Sequence, residues 1–302
     1  MKTGLIGLGR MGYRMALQLA EKGIGVIAYD IDKRSMNKLK EERNKNIYVG
    51  YNISNVVSSL SSPRIILISV PAGAAVDKII RQVKPKLKKD DILADCGNSL
   101  YLDSQRRYKE LKLDGIAYLD VGMSGGLYGA RHGASVIVSG DINHFETARQ
   151  VLEKLACQNG LRYVGLSGSA HRAKMIHNGI EYGVMQAIAE GVELLRMDKS
   201  INLEAVIEAW CNGSIISSTL INYAAQALKD HELMEKIDGV IGGGETGEWA
   251  LKEAELYNVD FSTLKNALVH RCKSKKNRKR FAYKLIAAIR NKFGGHEIVK
   301  YE

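Results

Sequence analysis

Four side chains able to move protons or hold hydroxyl groups fall close together in the run Lys174-Met175-Ile176-His177-Asn178-Gly179-Ile180-Glu181-Tyr182. On a helix, at about 100° per residue, His177, Asn178 and Glu181 stand at about 300°, 40° and 340° from Lys174, so all four share one narrow face. Met175, Ile176, Ile180 and Met185 flank them, which argues against an ordinary solvated charge stripe. Burial disfavours the charged form of a lysine and moves its pKa towards neutrality, where it can act as a base; a nearby carboxylate opposes that shift.

A second constellation opens the chain. Gly7-Leu8-Gly9-Arg10-Met11-Gly12 is a GxGxxG turn that follows a predicted strand and begins a predicted helix, the context in which this pattern binds a dinucleotide. Gly7 permits the tight turn, Gly9 lets backbone N–H groups approach a pyrophosphate, and Gly12 lets helix and strand pack closely. The helix N-terminus adds a favourable dipole for the anion. Asp30 ends the second strand, where a carboxylate accepts hydrogen bonds from ribose hydroxyls and repels a 2′-phosphate. NAD is therefore expected over NADP, although Lys33 and Arg34 are near enough in sequence to reach a 2′-phosphate, NADP being the alternative cofactor. Val70, Pro71 and Asn98, at and just past the ends of two further strands, complete the expected cofactor contacts.

These residues need a scaffold. Short apolar runs at Thr3–Leu8, Val26–Asp30, Ile65–Val70 and Ile92–Asp95 read as strands, and the segments Met11–Lys22, Lys33–Arg43 and Ala74–Leu87 between them carry helical spacing. Strand and helix in alternation predict an α/β fold, a Rossmann-like doubly wound parallel sheet, because parallel strands need crossover helices. Further strands are expected at Ala117–Val121, Ser135–Val138 and Arg162–Val164. Beyond Ser167 strand signals fade, so an all-α C-terminal domain is expected over 168–302, after a dinucleotide-binding domain over 1–167. Its first helix, Ala170–Met197, is apolar on much of its circumference and reads as buried at a domain or subunit interface.

The 302 residues are 45% hydrophobic and 25% charged, the balance of a globular protein rather than a disordered or fibrous one. Four separated cysteines, Cys96, Cys157, Cys211 and Cys272, show neither disulfide-framework nor metal-ligand spacing, and no metal is expected. No apolar run approaches the roughly 18 to 20 residues of a membrane helix. The N-terminus lacks the pattern of a secretory signal, so a cytoplasmic protein is expected, without membrane partners. Forty-four Lys and Arg against 33 Asp and Glu give a net charge of +11. Seven of the ten residues from Arg271 to Arg280 are basic. With no interleaved aromatics and no reading motif, this run is expected to attract an anionic small molecule rather than nucleic acid.

Taken together, the chain resembles the decarboxylating 6-phosphogluconate dehydrogenases, within the wider β-hydroxyacid dehydrogenase superfamily. The resemblance rests on the Gly7–Gly12 turn, Asp95-Cys96-Gly97-Asn98-Ser99, Gly122-Met123-Ser124-Gly125-Gly126 with Gly129-Ala130-Arg131, the Lys174–Tyr182 run and Arg290-Asn291-Lys292-Phe293-Gly294-Gly295-His296. The length resembles the short bacterial branch, which lacks a duplicated helical region. The resemblance implies metal-free oxidative decarboxylation of a phosphorylated sugar acid, with Lys174 as base for the 3-hydroxyl and Glu181 protonating C1. A base and an acid seven residues apart on one helix face suit such a pair of proton transfers. It also implies substrate contacts from Asn98, Ser124, Gly125, Gly126, His177, Asn178 and Tyr182. Arg271 is implied for the phosphate, and Arg290 and His296 are implied to reach in from a neighbouring subunit of a homodimer or homotetramer.

Two departures stand out. Gly243-Gly244-Glu245-Thr246-Gly247-Glu248-Trp249 matches a family segment resembling QKGTGKW, so Gly244 replaces its phosphate-contacting lysine. Ile31 replaces the arginine that reads the NADP 2′-phosphate, in agreement with Asp30. The alternatives are a β-hydroxyacid dehydrogenase for another anionic sugar acid, such as a 6-substituted gluconate, or a catalytically silent dinucleotide-binding protein. Retention of both Lys174 and Glu181 disfavours the last.

Overall fold

The computed structural model describes residues 1–299. Two compact units divide the chain, Met1–Lys174 and the residues from Met175 onward. The division falls inside a helix, whereas the sequence reading draws the domain boundary at 167/168, ahead of it.

The first unit runs β1 (Lys2–Ile6), α1 (Arg10–Glu21), β2 (Gly25–Tyr29), α2 (Lys33–Glu41), β3 (Ile47–Val49), α3 (Ile53–Ser58), β4 (Ile65–Ile68), α4 (Ala74–Val83), β5 (Ile92–Asp95), α5 (Tyr101–Lys112), β6 (Ala117–Ser124), α6 (Gly126–His132), β7 (Ala134–Ser139), α7 (Ile142–Leu155) and β8 (Ala156–Gly165). The strands form one sheet in the order β3-β2-β1-β4-β5-β6-β7-β8. Its middle strands read as unbroken apolar runs because both faces are covered. Ile65, Leu67, Ile92 and Ala94 enter the core of one face, while Ile66, Ile68 and Leu93 enter that of the other. Side chains that alternate across a strand thus feed two cores.

The expected all-parallel arrangement holds only as far as β6. β7 pairs antiparallel with β6, and β8 runs parallel to β7. The cause is the connection: α6 has seven residues, about 10 Å of helix, too short to carry the chain back along an eight-residue strand of about 26 Å. The sheet is mostly parallel, and the fold is Rossmann-like followed by helices, as expected.

The helix α8 (Ser169–Leu195) follows, and then α9 (Leu203–Trp210), α10 (Thr219–Lys229), α11 (His231–Lys236), α12 (Glu245–Leu256), α13 (Ser262–Ser274) and α14 (Phe281–Gly294). Side-chain caps fix several starts: Asn202 accepts from the N–H of Ala205 at α9, Ser218 from Ile221 at α10 and Asp230 from Leu233 at α11. Each relieves an N–H that helix geometry leaves without an acceptor. The second unit's core gathers Met185, Ala189 and Val192 of α8 with Ile221 and Ala224 of α10 and Leu285–Ile289 of α14. It is α14 that is buried on most of its circumference. On α8, by contrast, Ile176, Ile180, Val184 and Leu194 are exposed on the single chain. Among the described residues, no helix is long and apolar enough to cross a membrane.

Candidate active site

The glycine turn is dictated by contact. Gly7 has φ 100°, and a Cβ there would fall 2.2 Å from the carbonyl oxygen of Ser69. A Cβ on Gly12 would lie 2.0 Å from the carbonyl oxygen of Gly7. Around Gly9 nothing lies within 4 Å of that position, so this side of the turn is open to a ligand. Gly9 caps α1 without a side-chain bond, and the first N–H groups of a helix have no intrahelical acceptor. Asp30 braces the turn: its carboxylate accepts from the N–H of Leu8 at 2.5 Å and of Asp32 at 2.8 Å. Each oxygen keeps lone-pair capacity for a ribose hydroxyl. Ile31 is 81% exposed beside it. Lys33 is exposed, and Arg34 pairs loosely with Asp32 at 3.6 Å. Arg10 and Met11 form the first turn of α1. The residues present fit a dinucleotide.

A residue absent from the sequence reading ties together the two loops that carry Val70, Pro71 and Asn98. Arg107 of α5, 1% exposed, donates to Gly73 O at 3.0 Å on the loop after β4 and to Ser99 Oγ at 3.2 Å on the loop after β5. It also donates to Asp77 at 2.8 Å and Asp95 at 3.4 Å. Asp95 in turn accepts from Ser99, Tyr118 and Gly97 N. Asn98 is left exposed at the tip. Burial alone would raise the Asp77 carboxyl, but hydrogen bonds from Arg107 and Arg106 outweigh it and hold the group below the usual carboxylate range. A depressed folded pKa contributes stability above the unfolded value near ~4, lost as pH falls through the lower folded value. Asp77→Asn should therefore cost on the order of 1–3 kcal/mol at pH 7. In thermal melts across pH, that deficit should shrink below about pH 4; a deficit independent of pH would contradict the assignment.

Ser124, Gly125 and Gly126 end β6 and turn into α6, with Gly125 at φ 142° and Gly126 at φ 61°. Lys174 lies half-buried on α8, less enclosed than the sequence reading supposed.

The second unit brings together most of the other expected substrate residues. His177 Nδ1 lies 3.9 Å from Glu181 Oε2 and 3.3 Å from Asn178 Oδ1. Asn178 Nδ2 donates to Thr246 Oγ1 at 3.4 Å, and the Tyr182 hydroxyl lies 3.1 Å from the same oxygen. Thr246, in the first turn of α12, was not among the expected site residues; its signal was the glycine-rich Gly243–Gly247 segment. The Arg271 guanidinium stacks 3.6 Å from the Tyr182 ring centroid and donates to Gly242 O at 2.9 Å. Burial pulls Arg271 down to about 10, with Tyr182 and Glu181 opposing and Arg290 reinforcing the shift. It is still a cation at neutral pH.

Arg290 is 8% exposed, and a Cβ on Gly243 would lie 3.0 Å from its Nη2. Gly243, at φ 69°, leaves room for the guanidinium. Within the single chain Arg290 lies beside Gly243 and Arg271 of its own second unit. In this short chain α14 packs against α10 of its own second unit, and Arg290 comes with it. His296 follows the left-handed Gly295, sets its ring edge against Phe293 at 5.8 Å, and accepts from Asn291 through its carbonyl at 2.9 Å.

Residues 2–165 match the NAD binding domain of 6-phosphogluconate dehydrogenase, and residues 170–300 match the C-terminal domain of the same family. The Bacillus subtilis protein YqeC, provisionally named a 6-phosphogluconate dehydrogenase, is 38% identical over 99% of this chain and 100% of its own. An NAD(+)-dependent decarboxylating 6-phosphogluconate dehydrogenase of Haloferax volcanii is 34% identical over 99% of both chains. The 6-phosphogluconate dehydrogenase structure from Plasmodium falciparum superposes with a TM-score of 0.84 at 31% identity, covering 92% of this chain and 63% of the longer one. The chain is thus a member of the 6-phosphogluconate dehydrogenase family, whose amino-terminal domain binds a nicotinamide dinucleotide in the service of an oxidoreductase.

Proposed function

We propose that this protein oxidatively decarboxylates 6-phosphogluconate to ribulose 5-phosphate and CO2, with NAD as the electron acceptor. The observation that carries the reading is the second unit's buried arginine pair, Arg271 and Arg290, gathered with Tyr182 and Thr246 beside a helix face bearing Glu181. Arginine suits a phosphate because its fork holds two oxygens at once.

A dinucleotide held by the Gly7–Gly12 turn and Asp30 supplies the hydride acceptor for C3. Lys174, in its neutral form, takes the proton of the 3-hydroxyl as that hydride leaves. The resulting ammonium then donates to the C3 ketone oxygen, which favours loss of CO2 by stabilising the electrons left in the enediol. Glu181 delivers a proton to C1 and completes the product. Asn98, Ser124 and the Gly125–Gly126 backbone supply neutral donors for the hydroxyls and carboxylate.

Steady-state kinetics with 6-phosphogluconate and either cofactor, following reduced nicotinamide and CO2 together, tests the reading. Equal yields of both are expected. No turnover with either cofactor would sink it, and reduction without CO2 would point to a simple hydroxyacid dehydrogenase. Gly244, at φ 134°, favours a second reading, because a lysine there would be strained. The substrate would then be a gluconate with a different anion at C6, such as a sulfonate, and the higher kcat/KM of the two in the same assay decides.

NAD preference follows from Asp30 and the exposed Ile31. Asp30→Asn combined with Ile31→Arg should raise the NADP to NAD ratio of kcat/KM by about 10²-fold, the worth of ~2.7 kcal/mol. An unchanged ratio would assign ribose reading to Lys33 or Arg34.

A further inference from the structure

We infer that β6 fixes the position of the base: Asp120 and Gly122 are positioning residues that set where Lys174 stands relative to the Ser124–Gly126 loop. The inference rests on Lys174 as the base proposed above. Side chains two apart on a strand share a face, and Asp120, Gly122 and Ser124 are such a series on β6.

Asp120 is fully buried. One of its oxygens accepts from Gly168 N at 2.8 Å, and the other from His171 N at 3.0 Å and Ser139 Oγ at 2.6 Å. Ser139 Oγ also accepts from Ala170 N at 2.8 Å. Three N–H groups at the start of α8 are therefore taken by the sheet, a cap supplied from another element. Ser139 can share the task because the antiparallel pairing of β6 and β7 sets it opposite Asp120. From the other side, Ser104 of α5 bonds His171 Nδ1 at 2.7 Å.

Capping alone would only stabilise the helix. Gly122 adds the distance. A Cβ there would lie 3.0 Å from Lys174 Cβ, 3.1 Å from Ala170 O and 2.9 Å from Ile137 Cγ1. The first turns of α8 thus rest on the strand at the one residue without a side chain, with Lys174 at the contact. Asp120 sets the helix along its axis, and Gly122 sets its height above the sheet. Two residues further, the same strand delivers Ser124.

Gly122→Ala tests this. The contacts to Lys174 Cβ and Ala170 O are short enough that α8 must give by a few tenths of an ångström. Misplacing a reacting group by about 1 Å costs about 10²-fold, so a loss of about tenfold in turnover follows. We expect that loss in kcat, with KM for NAD unchanged and a larger primary isotope effect for substrate deuterated at C3. Ser139→Ala, a milder change, should reduce kcat about threefold to tenfold in the same pattern. It carries the test if Gly122→Ala does not fold. A kcat within about twofold of the parent, in variants for which Lys174→Met is inactive, overturns the inference. So does a loss shared equally between kcat and cofactor binding, the mark of general damage. Activity retained in Lys174→Met would instead overturn the reading of the base. A crystal structure of Gly122→Ala needs no substrate: α8 displaced from β6 supports the inference, and an unmoved helix refutes it.

Discussion

Lys174→Met should lower kcat with 6-phosphogluconate by about 10³- to 10⁴-fold, the contribution of a positioned general base, while the dissociation constant for NAD stays unchanged. Methionine keeps much of the length and apolar character of the lysine stem, so the half-buried position on α8 is filled and only the amine is lost. If, as proposed, hydride loss from C3 and proton loss from its hydroxyl are one event, removing the base also abolishes reduced nicotinamide, and with it CO2. Burst-phase measurements check this: a burst of reduced nicotinamide with no further turnover would mean that Lys174 acts after oxidation. Loss of NAD affinity would mean that the residue serves the cofactor.

Arg271→Met should raise KM for 6-phosphogluconate by about 10²- to 10³-fold, since losing one partner of a buried charged contact costs about 2–5 kcal/mol. Its effect on kcat should be much smaller, because a phosphate held there, as proposed, would be held alike in ground and transition states. Unphosphorylated gluconate is the control. It should be a poor substrate for the parent and hardly poorer for the variant. Equal losses on both substrates would show that Arg271 maintains the fold through Gly242 and Tyr182 rather than meeting the anion. Arg271→Lys keeps the charge without the fork and should recover only part of the loss.

What the sequence disclosed and what it hid follow from how each element earns its place. β1, β4 and β5 were legible because strands covered on both faces are apolar throughout. β3, three residues at the sheet edge, has no buried residue and so left no pattern. α5 was silent for a related reason: among its twelve residues only Ser104, Arg107 and Leu111 are buried, so no apolar stripe marks it. Arg107 could not be singled out, because an arginine in a polar helix is ordinarily solvated and its burial depends on Asp77, Asp95 and two loops distant in sequence. The glycine turn and the Lys174–Tyr182 run were readable since each is local, one turn or one helix face. Arg290 was identified from the C-terminal run, but its surroundings depend on how α14 packs, which no local pattern encodes.

The two buried arginines carry a thermodynamic consequence. Arg290 depresses the pKa of Arg271, so each cation destabilises the other. Without a bound anion the second unit carries that repulsion, partly offset by Tyr182 and Glu181. A bound dianion cancels that repulsion, and anything that binds only the folded form adds its binding free energy to folding stability. If the substrate's phosphate binds there as proposed, it would add to the stability of the helical unit as well as being recognised by it, and the unit's resistance to unfolding and proteolysis would rise with substrate concentration.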